Sequence, residues 1–567
     1  MNNTHKNNKN HITYDLVIIG GGLAGLYTLY KLSKTFSHLK ILLLESGERY
    51  GGRIYSYKET IDGQDYVMDL GAGRLGHHQP LINDLINELG LKPKIVDIPN
   101  TKTYIEVSEN DKAYDKAYEK THFKDYIMGK LTKFFFSPLI TKLGKSMLQK
   151  YYLCELIKKY VSVSFSQKVA SVFEYSSDLN EFNAYDAIEY FKHDYNSETK
   201  FFTLNGGLEQ IIEHLINAIK KTKSYKLKNI KLLNLSNVEN ITNKNTKHNN
   251  LFKIEVTNYR SNINNKSNIY NVYSKNVVCA VPKKTLEKLE LFKPILGDLN
   301  SINSINLLRI YEIYNKTNGE TWFKNVEKTI TNSQVQFVIP INPNNGLIMS
   351  SYSDCANANY WNLLLTKKGL QFVKAKLNTK LNQIFSIYNI SVPQSKYIKM
   401  YFWDAGVACW KKNIDSDYVS SKLLNPYSNV FIIGENYSKY QAWCEGALMT
   451  SENCITKLDT LLMTNNTATR KKGGKKMKQI KIKQIKIKQY NNLTLEEVKK
   501  HNKKEDAWTI IENKVYNITP WIPKHPGGEI IIQALGKDAT QLFMANNHPS
   551  YVKKTILPKY YIGILKN

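Results

Sequence analysis

The sequence predicts an α/β fold with an attached α+β part, followed by a second, smaller α+β module. Three observations predict it. Residues 14–46 run from an apolar stretch through a glycine cluster and a helical pattern into a second apolar stretch. A further strand, glycine and helix passage lies near residues 429–452. After residue 460 the composition shifts abruptly, and a segment long enough for one small domain follows it. With 567 residues, 42% apolar and 23% charged, the chain is not disordered throughout and can hold more than one core.

The N-terminal MNNTHKNNKNHITYD is polar and has no apolar core of a secretory signal, so residues 1–13 are expected to be disordered. YDLVIIGGGLAGLYTLYKLSKTFSHLKILLLES then forms a β-α-β unit. Residues 110–200 carry long aromatic and Lys-rich segments with few turn signals, which predicts a helical insertion. Stretches 228–238, 251–257 and 269–281 are rich in Ile, Val and Leu between Asn-rich loops and read as strands. NVFIIGE is a final strand before a helix starting near Ala442. In residues 461–490 the isoleucines at 480, 482, 485 and 487 are spaced two, three and two apart, so neither a strand nor a helix collects them on one face. This tract is expected to be a flexible, charge-extended linker to a domain at 491–567.

The chain holds 79 Lys and Arg against 49 Asp and Glu, a net charge of +30. Ten of those cations fall in residues 470–489, where there is no acid. Nucleic-acid binding is therefore not expected, and the Lys-rich linker is the part able to touch an anionic surface. The six cysteines form no C-x-x-C and no dense framework, which fits a reducing compartment. No run reaches the roughly 18 apolar residues of a membrane span. A soluble, cytoplasmic protein is expected. Abundant Asn, Lys, Ile and Tyr match an AT-rich genome, such as that of a protist or a large DNA virus, and the latter source leaves virion association open.

Gly20-x-Gly22-x-x-Gly25 follows a strand and opens a helix, where glycines allow a tight turn and bring backbone amides near a pyrophosphate. Glu45, ending the next strand, can accept both hydroxyls of an adenosine ribose. Gly51-Gly52-Arg53 places a cation behind two flexible residues. At this spacing the set resembles the flavin-containing amine oxidase family, which binds FAD and includes monoamine, polyamine and L-amino acid oxidases. VFIIGENYSKYQAWCEGALMTSE is similar to that family's C-terminal FAD segment. The resemblance covers roughly residues 14–460 and implies a Rossmann-like FAD-binding domain with an amine-oxidase substrate domain. It implies that Gly434, Glu435 and Ala447 meet the flavin end of the cofactor, and that Val238 offers a backbone contact to adenine.

The same resemblance implies roles in catalysis. Lys316, in YEIYNKTNGETWF, resembles the lysine that holds a water against the flavin reactive nitrogen. Trp410 and Trp443 stand where two aromatic walls sandwich the substrate nitrogen, although both also suit a core. Cys409 lies close to the cysteine that joins FAD covalently in monoamine oxidases, but DAGVACW departs from S-G-G-C-Y, so non-covalent FAD is expected. Asp69-Leu70-Gly71-Ala72-Gly73-Arg74-Leu75 resembles the G-x-M-R segment in which Arg pairs with an amino acid carboxylate, with Gly73 in place of Met. Arg74 suits that role, or support of the flavin or of a loop.

Residues 491–567 carry W-x-I-I-x-x-K-V-Y-N-I-T, His525-Pro526-Gly527-Gly528, D-A-T-x-x-F and His548. This ordered set resembles cytochrome b5-like domains and implies a b-type haem with His525 and His548 as axial iron ligands. The expected function is oxidation of an amine or L-amino acid by FAD, with electrons passing to O2 or to the fused haem or another redox partner. The alternatives are a flavin desaturase or dehydrogenase acting on a carbon–carbon bond, and a haem-tethered redox or binding module.

Overall fold

The computed structural model describes residues 13–108, 116–194, 199–246, 249–259, 268–470, 490–522, 525, 528–545, 552–553 and 557–566. The chain divides into two compact units, Met1–Thr464 and Asn465–Asn567.

The larger unit is built around a parallel sheet with strand order Ile230–Leu233, Ile41–Leu44, Leu16–Ile19, Val277–Cys279 and Val430–Ile432. A parallel sheet is covered on both faces, so its strands are apolar at every position. Leu16-Val17-Ile18-Ile19 and Ile41-Leu42-Leu43-Leu44 follow this rule, with no side chain more than 4% exposed. Leu16, Ile18, Ile41 and Leu43 pack with the helices Leu23–Thr35 and Gln210–Lys221. Val17, Ile19, Leu42 and Leu44 face a second core that contains Trp410. Each such side chain contributes roughly 1.5–3 kcal/mol by burial. No described side chain caps the helix Leu23–Thr35, so its first N–H groups point out of the glycine turn towards any acceptor placed there.

The stretch read as one strand over 228–238 is two, Ile230–Leu233 and Ser236–Thr246. Leu235 has a left-handed φ of 53° and turns the chain out of the parallel sheet. The second piece joins a four-stranded sheet with Asn249–Asn258, Asn268–Ser274 and Thr13–Tyr14.

A seven-stranded sheet lies beyond, ordered Tyr397–Trp410, Ile302–Ile313, Leu347–Asp354, Phe337–Asn342, Lys328–Thr331, Lys102–Ser108 and Lys116–Glu119. Helices from Thr121–Phe135 to Ala184–Asp194 close over it, their apolar faces packing on Tyr104, Ile305, Ile330, Phe337 and Cys409. The helix expected near Ala442 starts at Cys444, because Ala442 itself holds a φ of 65°. It continues to Arg470, through residues 461–470 that the composition assigned to the linker. Nothing there breaks a helix before Gly473-Gly474. Residues 471–489 lie outside the described residues.

The smaller unit carries a sheet ordered Tyr490–Leu493, Tyr561–Leu565, Lys514–Asn517, Asp506–Ile511 and Asn502–Lys503. Alternation along Asp506–Ile511 feeds two cores: Trp508 and Ile510 enter one, Ala507 and Ile511 the other. Among the described residues no helix is long and apolar enough to cross a membrane.

Candidate functional site

The glycine turn distinguishes its members by what surrounds them. A Cβ on Gly20 would lie 2.4 Å from the Ala280 carbonyl oxygen, and one on Gly25 would lie 2.0 Å from that of Gly20. These two positions are closed by packing of helix on strand. Gly22 is open, its nearest neighbour being Gly52 Cα at 3.9 Å, so backbone is exposed there to anything that binds. The Gly21 N–H donates to Glu45 Oε2 at 2.7 Å and the Gly47 N–H to Oε1 at 2.8 Å, which fixes this half-buried carboxylate at the strand end. The Gly51 N–H donates to the Gly21 carbonyl at 2.8 Å, drawing the second glycine pair, with Gly52 at φ 56°, onto the first. The Ser236 N–H donates to the Glu45 carbonyl at 2.8 Å and brings the strand of Val238 to the same end. An open glycine backbone, a fixed carboxylate and an uncapped helix start suit a dinucleotide.

Arg53 and Glu435 come from opposite ends of the larger unit and bind each other. Arg53 Nη1 donates to Glu435 Oε2 at 2.6 Å and to the Gly406 carbonyl at 3.1 Å. Glu435 Oε1 accepts from the Ala408 N–H at 2.9 Å and the Ala442 N–H at 2.7 Å. One buried carboxylate thus holds the strand Tyr397–Trp410, the left-handed Ala442 and the first glycine segment together. Gly434, at φ 127°, donates its N–H to Thr450 Oγ1 at 2.9 Å. A Cβ on Gly446 would lie 1.8 Å from the Tyr440 carbonyl oxygen, so the entry to the helix Cys444–Arg470 requires glycine. Ala447 is 8% exposed in the first turn of that helix.

Glu445 turns away to the start of the helix Pro80–Glu88, accepting from the Leu81 N–H at 3.0 Å and the Ile82 N–H at 2.9 Å. Burial pushes its carboxyl up from the ordinary 4.5 to about 7. A carboxyl raised on folding stabilises the fold fully below its unfolded value and loses that contribution as pH rises through the folded value. Glu445→Gln is therefore expected to flatten the decline of Tm between about pH 5 and pH 8. A decline as steep as in the parent would contradict this.

On the other side of Glu435 lies an aromatic and cationic cluster. The rings of Phe201 and Trp443 stack 5.5 Å apart at 4°, and the Arg74 guanidinium sits 4.7 Å from the first centroid and 5.5 Å from the second. Trp443 Nε1 donates to Asp194 Oδ2 at 2.9 Å. Asp194 Oδ1 accepts from the Tyr440 hydroxyl at 2.7 Å and lies 3.0 Å from His78 Nε2. Asp194 thereby locks the Trp443 ring plane. No motif marks Asp194, His78, Tyr440 or Phe201, and only folding brings these separate segments together.

Two expected catalytic residues stand elsewhere. Lys316 is exposed, three residues past the end of the strand Ile302–Ile313. That strand pairs Ile302 with Trp410 and Ile313 with Tyr397, so at about 3.3 Å per residue Lys316 and Trp410 are on the order of 35 Å apart. They cannot serve one flavin ring. Trp410 is 1% exposed in the core behind the parallel sheet, and its Nε1 donates to the Ser438 carbonyl at 3.0 Å, so it offers no open ring face. Cys409 points to the opposite core, its Sγ donating to the Glu181 carbonyl at 3.3 Å, with burial pushing the thiol well above its ordinary range. A neutral, enclosed thiol is a poor site for covalent attachment.

Arg309 is an inward cation of this sheet. It is 8% exposed, donates from Nη1 to the Asp69 carbonyl at 2.6 Å and lies 4.6 Å from the Tyr352 ring centroid. A Cβ on Gly73 would lie 2.5 Å from Arg309 Nη1. This explains glycine where the resembled motif has Met: the space is filled by Arg309. The signal was a lone cation in the apolar run LLRIYEI.

In the smaller unit His525 follows Trp521 and Ile522, with its N–H 3.3 Å from the Ile522 carbonyl. Partly buried Ile522, Ile531, Ile532 and Phe543 gather around the core of Ile511, Ile518 and Leu535, an apolar setting suited to a porphyrin face. His548 lies outside the described residues. Among the described residues no group of three or more His, Cys, Asp or Glu could hold a metal ion; a haem iron held by two imidazoles needs no such group.

Comparison with known proteins agrees with both parts. Residues 18–89 match the NAD(P)-binding Rossmann-like domain family, and residues 494–566 match the Cytochrome b5-like Heme/Steroid binding domain family. The fold is similar to a putrescine oxidase variant redesigned in its cofactor binding, with a TM-score of 0.57 at 15% identity over 79% of this chain and 99% of that one. It is also similar to a putative protoporphyrinogen oxidase from Exiguobacterium sp. 255-15, with a TM-score of 0.54 at 14% identity over 78% and 98%. Among curated proteins, an acyl-lipid (8-3)-desaturase from Physcomitrium patens is 53% identical over 72 residues, 13% of this chain and 15% of the relative. Cytochrome b5 isoform E from Arabidopsis thaliana is 47% identical over 72 residues, 12% of this chain and 53% of the relative. The chain thus spans a small part of the desaturase and about half of the cytochrome, in stretches the length of one small domain. Its larger unit has the fold of flavin amine and protoporphyrinogen oxidases built on a Rossmann-like segment, and its C-terminal unit is a cytochrome b5 domain.

Proposed function

We propose that the larger unit binds FAD and oxidises a primary or secondary amine or an L-amino acid to an imine, which water hydrolyses to a carbonyl compound and ammonia or an amine. Electrons leave to O2, giving H2O2, or to a b-type haem on the C-terminal unit. The observation that carries this reading is the Arg53–Glu435 pair, which fastens the first glycine turn to the segment Gly434–Ala447. Gly22 would then receive the pyrophosphate in the turn that Gly20 and Gly25 close, with Gly52 and Arg53 beside it, while Glu45 would meet the ribose and Val238 the adenine. Gly434, Glu435 and Ala447 hold the flavin end.

FAD, when bound, supplies an acceptor for the two electrons of a substrate C–H bond, and the haem a one-electron carrier. The chain's own residues do the rest. Trp443 and Phe201 form one apolar wall, kept in plane by Asp194, and exclude water from the bound amine. Arg74 presents a planar fork to a carboxylate. Enclosed Cys409 supports non-covalent FAD. His525 and His548 would hold the haem iron through their imidazoles. The protein works in the cytoplasm, and its Lys-rich segment is the part that meets anionic surfaces.

Anaerobic mixing with a panel of amines and amino acids tests this. Bleaching of the flavin band, with ammonia or amine released in equal amount, is the expected result. Bleaching without nitrogen release would move the reaction to a carbon–carbon bond, and no bleaching with any compound would overturn the proposal.

A further inference from the structure

Three lysines gather around one buried carboxylate, Glu174. Lys328 starts the strand Lys328–Thr331, with its Nζ 3.5 Å from Glu174 Oε2 and 5.0 Å from the Phe337 ring centroid. Glu174 is already taken: its Oε1 accepts from Lys102 Nζ at 2.7 Å and Lys124 Nζ at 3.0 Å. One carboxylate is thus shared by three ammonium groups. The charged groups acting most strongly on Lys328 are Glu174, Arg74, Lys102 and Lys124, one acid against three cations. Burial and these cations bring the ammonium down from 10.5 to about 8 despite Glu174.

The contacts around Lys328 close into a circuit. Phe337 packs on Tyr175 at 5.0 Å and on Tyr352 at 5.8 Å, Tyr352 carries Arg309 at 4.6 Å, and Arg309 lies against Gly73, next to Arg74. Arg74 is in turn the strongest cationic neighbour of Lys328. Tyr175 and Lys328 are half-buried, with 19% of the Lys328 side chain exposed. Three cations crowded around one carboxylate are relieved by a further anion that approaches them.

We infer that Lys328 is a second anion-binding group beside Arg74, and that the substrate is an amine or amino acid carrying an additional acidic group on an apolar or aromatic body. This rests on the flavin-oxidase reading for the reaction but not for the binding. Arg74 takes one carboxylate by its fork. Lys328 takes the other as a point charge, with Tyr175, Phe337 and Tyr352 packing on the body between them.

Calorimetric titration of the FAD-loaded full chain with benzylamine, benzoate and isophthalate tests the inference without turnover. Isophthalate is expected to bind at least tenfold more tightly than benzoate, and benzylamine most weakly. Lys328→Gln should cost isophthalate about tenfold and benzoate less than twofold, and Lys328→Arg should restore isophthalate. Isophthalate binding no tighter than benzoate, or an equal loss of both in Lys328→Gln, would overturn the assignment. If Lys328→Gln does not accumulate, the ranking of the three compounds on the parent decides. The flavin reduction panel is run on the same preparation. Isophthalate selectivity with no flavin bleaching would refute the proposed reaction and leave this site standing; bleaching without selectivity would do the reverse.

Discussion

Gly25→Val is expected to leave the chain without FAD while its haem content stays at the parental level. The Cβ alone would lie 2.0 Å from the Gly20 carbonyl oxygen, and that neighbour is backbone, which no rotamer change can move. The helix Leu23–Thr35 must then shift away from the turn that positions Gly22 and Glu45. Overpacking of this kind costs typically 1–3 kcal/mol, and the two further methyl groups of valine add to it. Flavin content below about a tenth of the parent is the expected outcome, read as bound FAD per haem after gel filtration. The haem serves as a folding control because the two units are separately compact. Stoichiometric FAD in this variant would show that the glycine turn does not carry the cofactor.

His525→Ala is expected to abolish the spectrum of a low-spin haem with two imidazole ligands and to leave FAD in place. The residue sits beside an apolar cluster of Ile522, Ile531, Ile532 and Phe543 with no described alternative set of metal-ligating groups. Alanine removes the imidazole proposed to hold the iron, and apolar neighbours cannot replace it. Substrate-dependent peroxide formation should persist in this variant, since oxygen can take the electrons directly. An unaltered haem spectrum would mean that a different residue ligates the iron.

The parts of this molecule legible in its sequence are those in which local chemistry and chain order coincide. A glycine turn must follow its strand and precede its helix, so Gly20, Gly22, Gly25 and Glu45 announce one another, as do the residues around His525. Arg53 and Glu435 were each expected to contact the cofactor, but were not legible as partners, because 382 residues separate them and only the fold pairs them. The substrate face was the least legible. Arg74 and Trp443 were marked by the segments they lie in, but Phe201, Asp194, Arg309 and Lys328 come from different elements and follow no spacing rule. Lys316 drew attention through its aromatic neighbours, yet those aromatics pack on one another while the lysine is exposed; Trp322 and Phe323 meet Tyr314 and each other edge to face. Arg309 carried the better signal. A charged side chain inside a continuous apolar strand is rarely buried without a partner or a task.

We propose that a flavin site oxidising a carbon–nitrogen bond shares the chain with a haem module that can take its electrons when oxygen is absent. The most direct measurement is stopped-flow mixing of the full chain with substrate in the absence of oxygen, following the flavin and haem bands together. The flavin band is expected to bleach first, and the reduced haem band then to grow at a rate independent of protein concentration, as transfer within one tethered chain requires. A flavin band that no amine or amino acid bleaches would contradict the account.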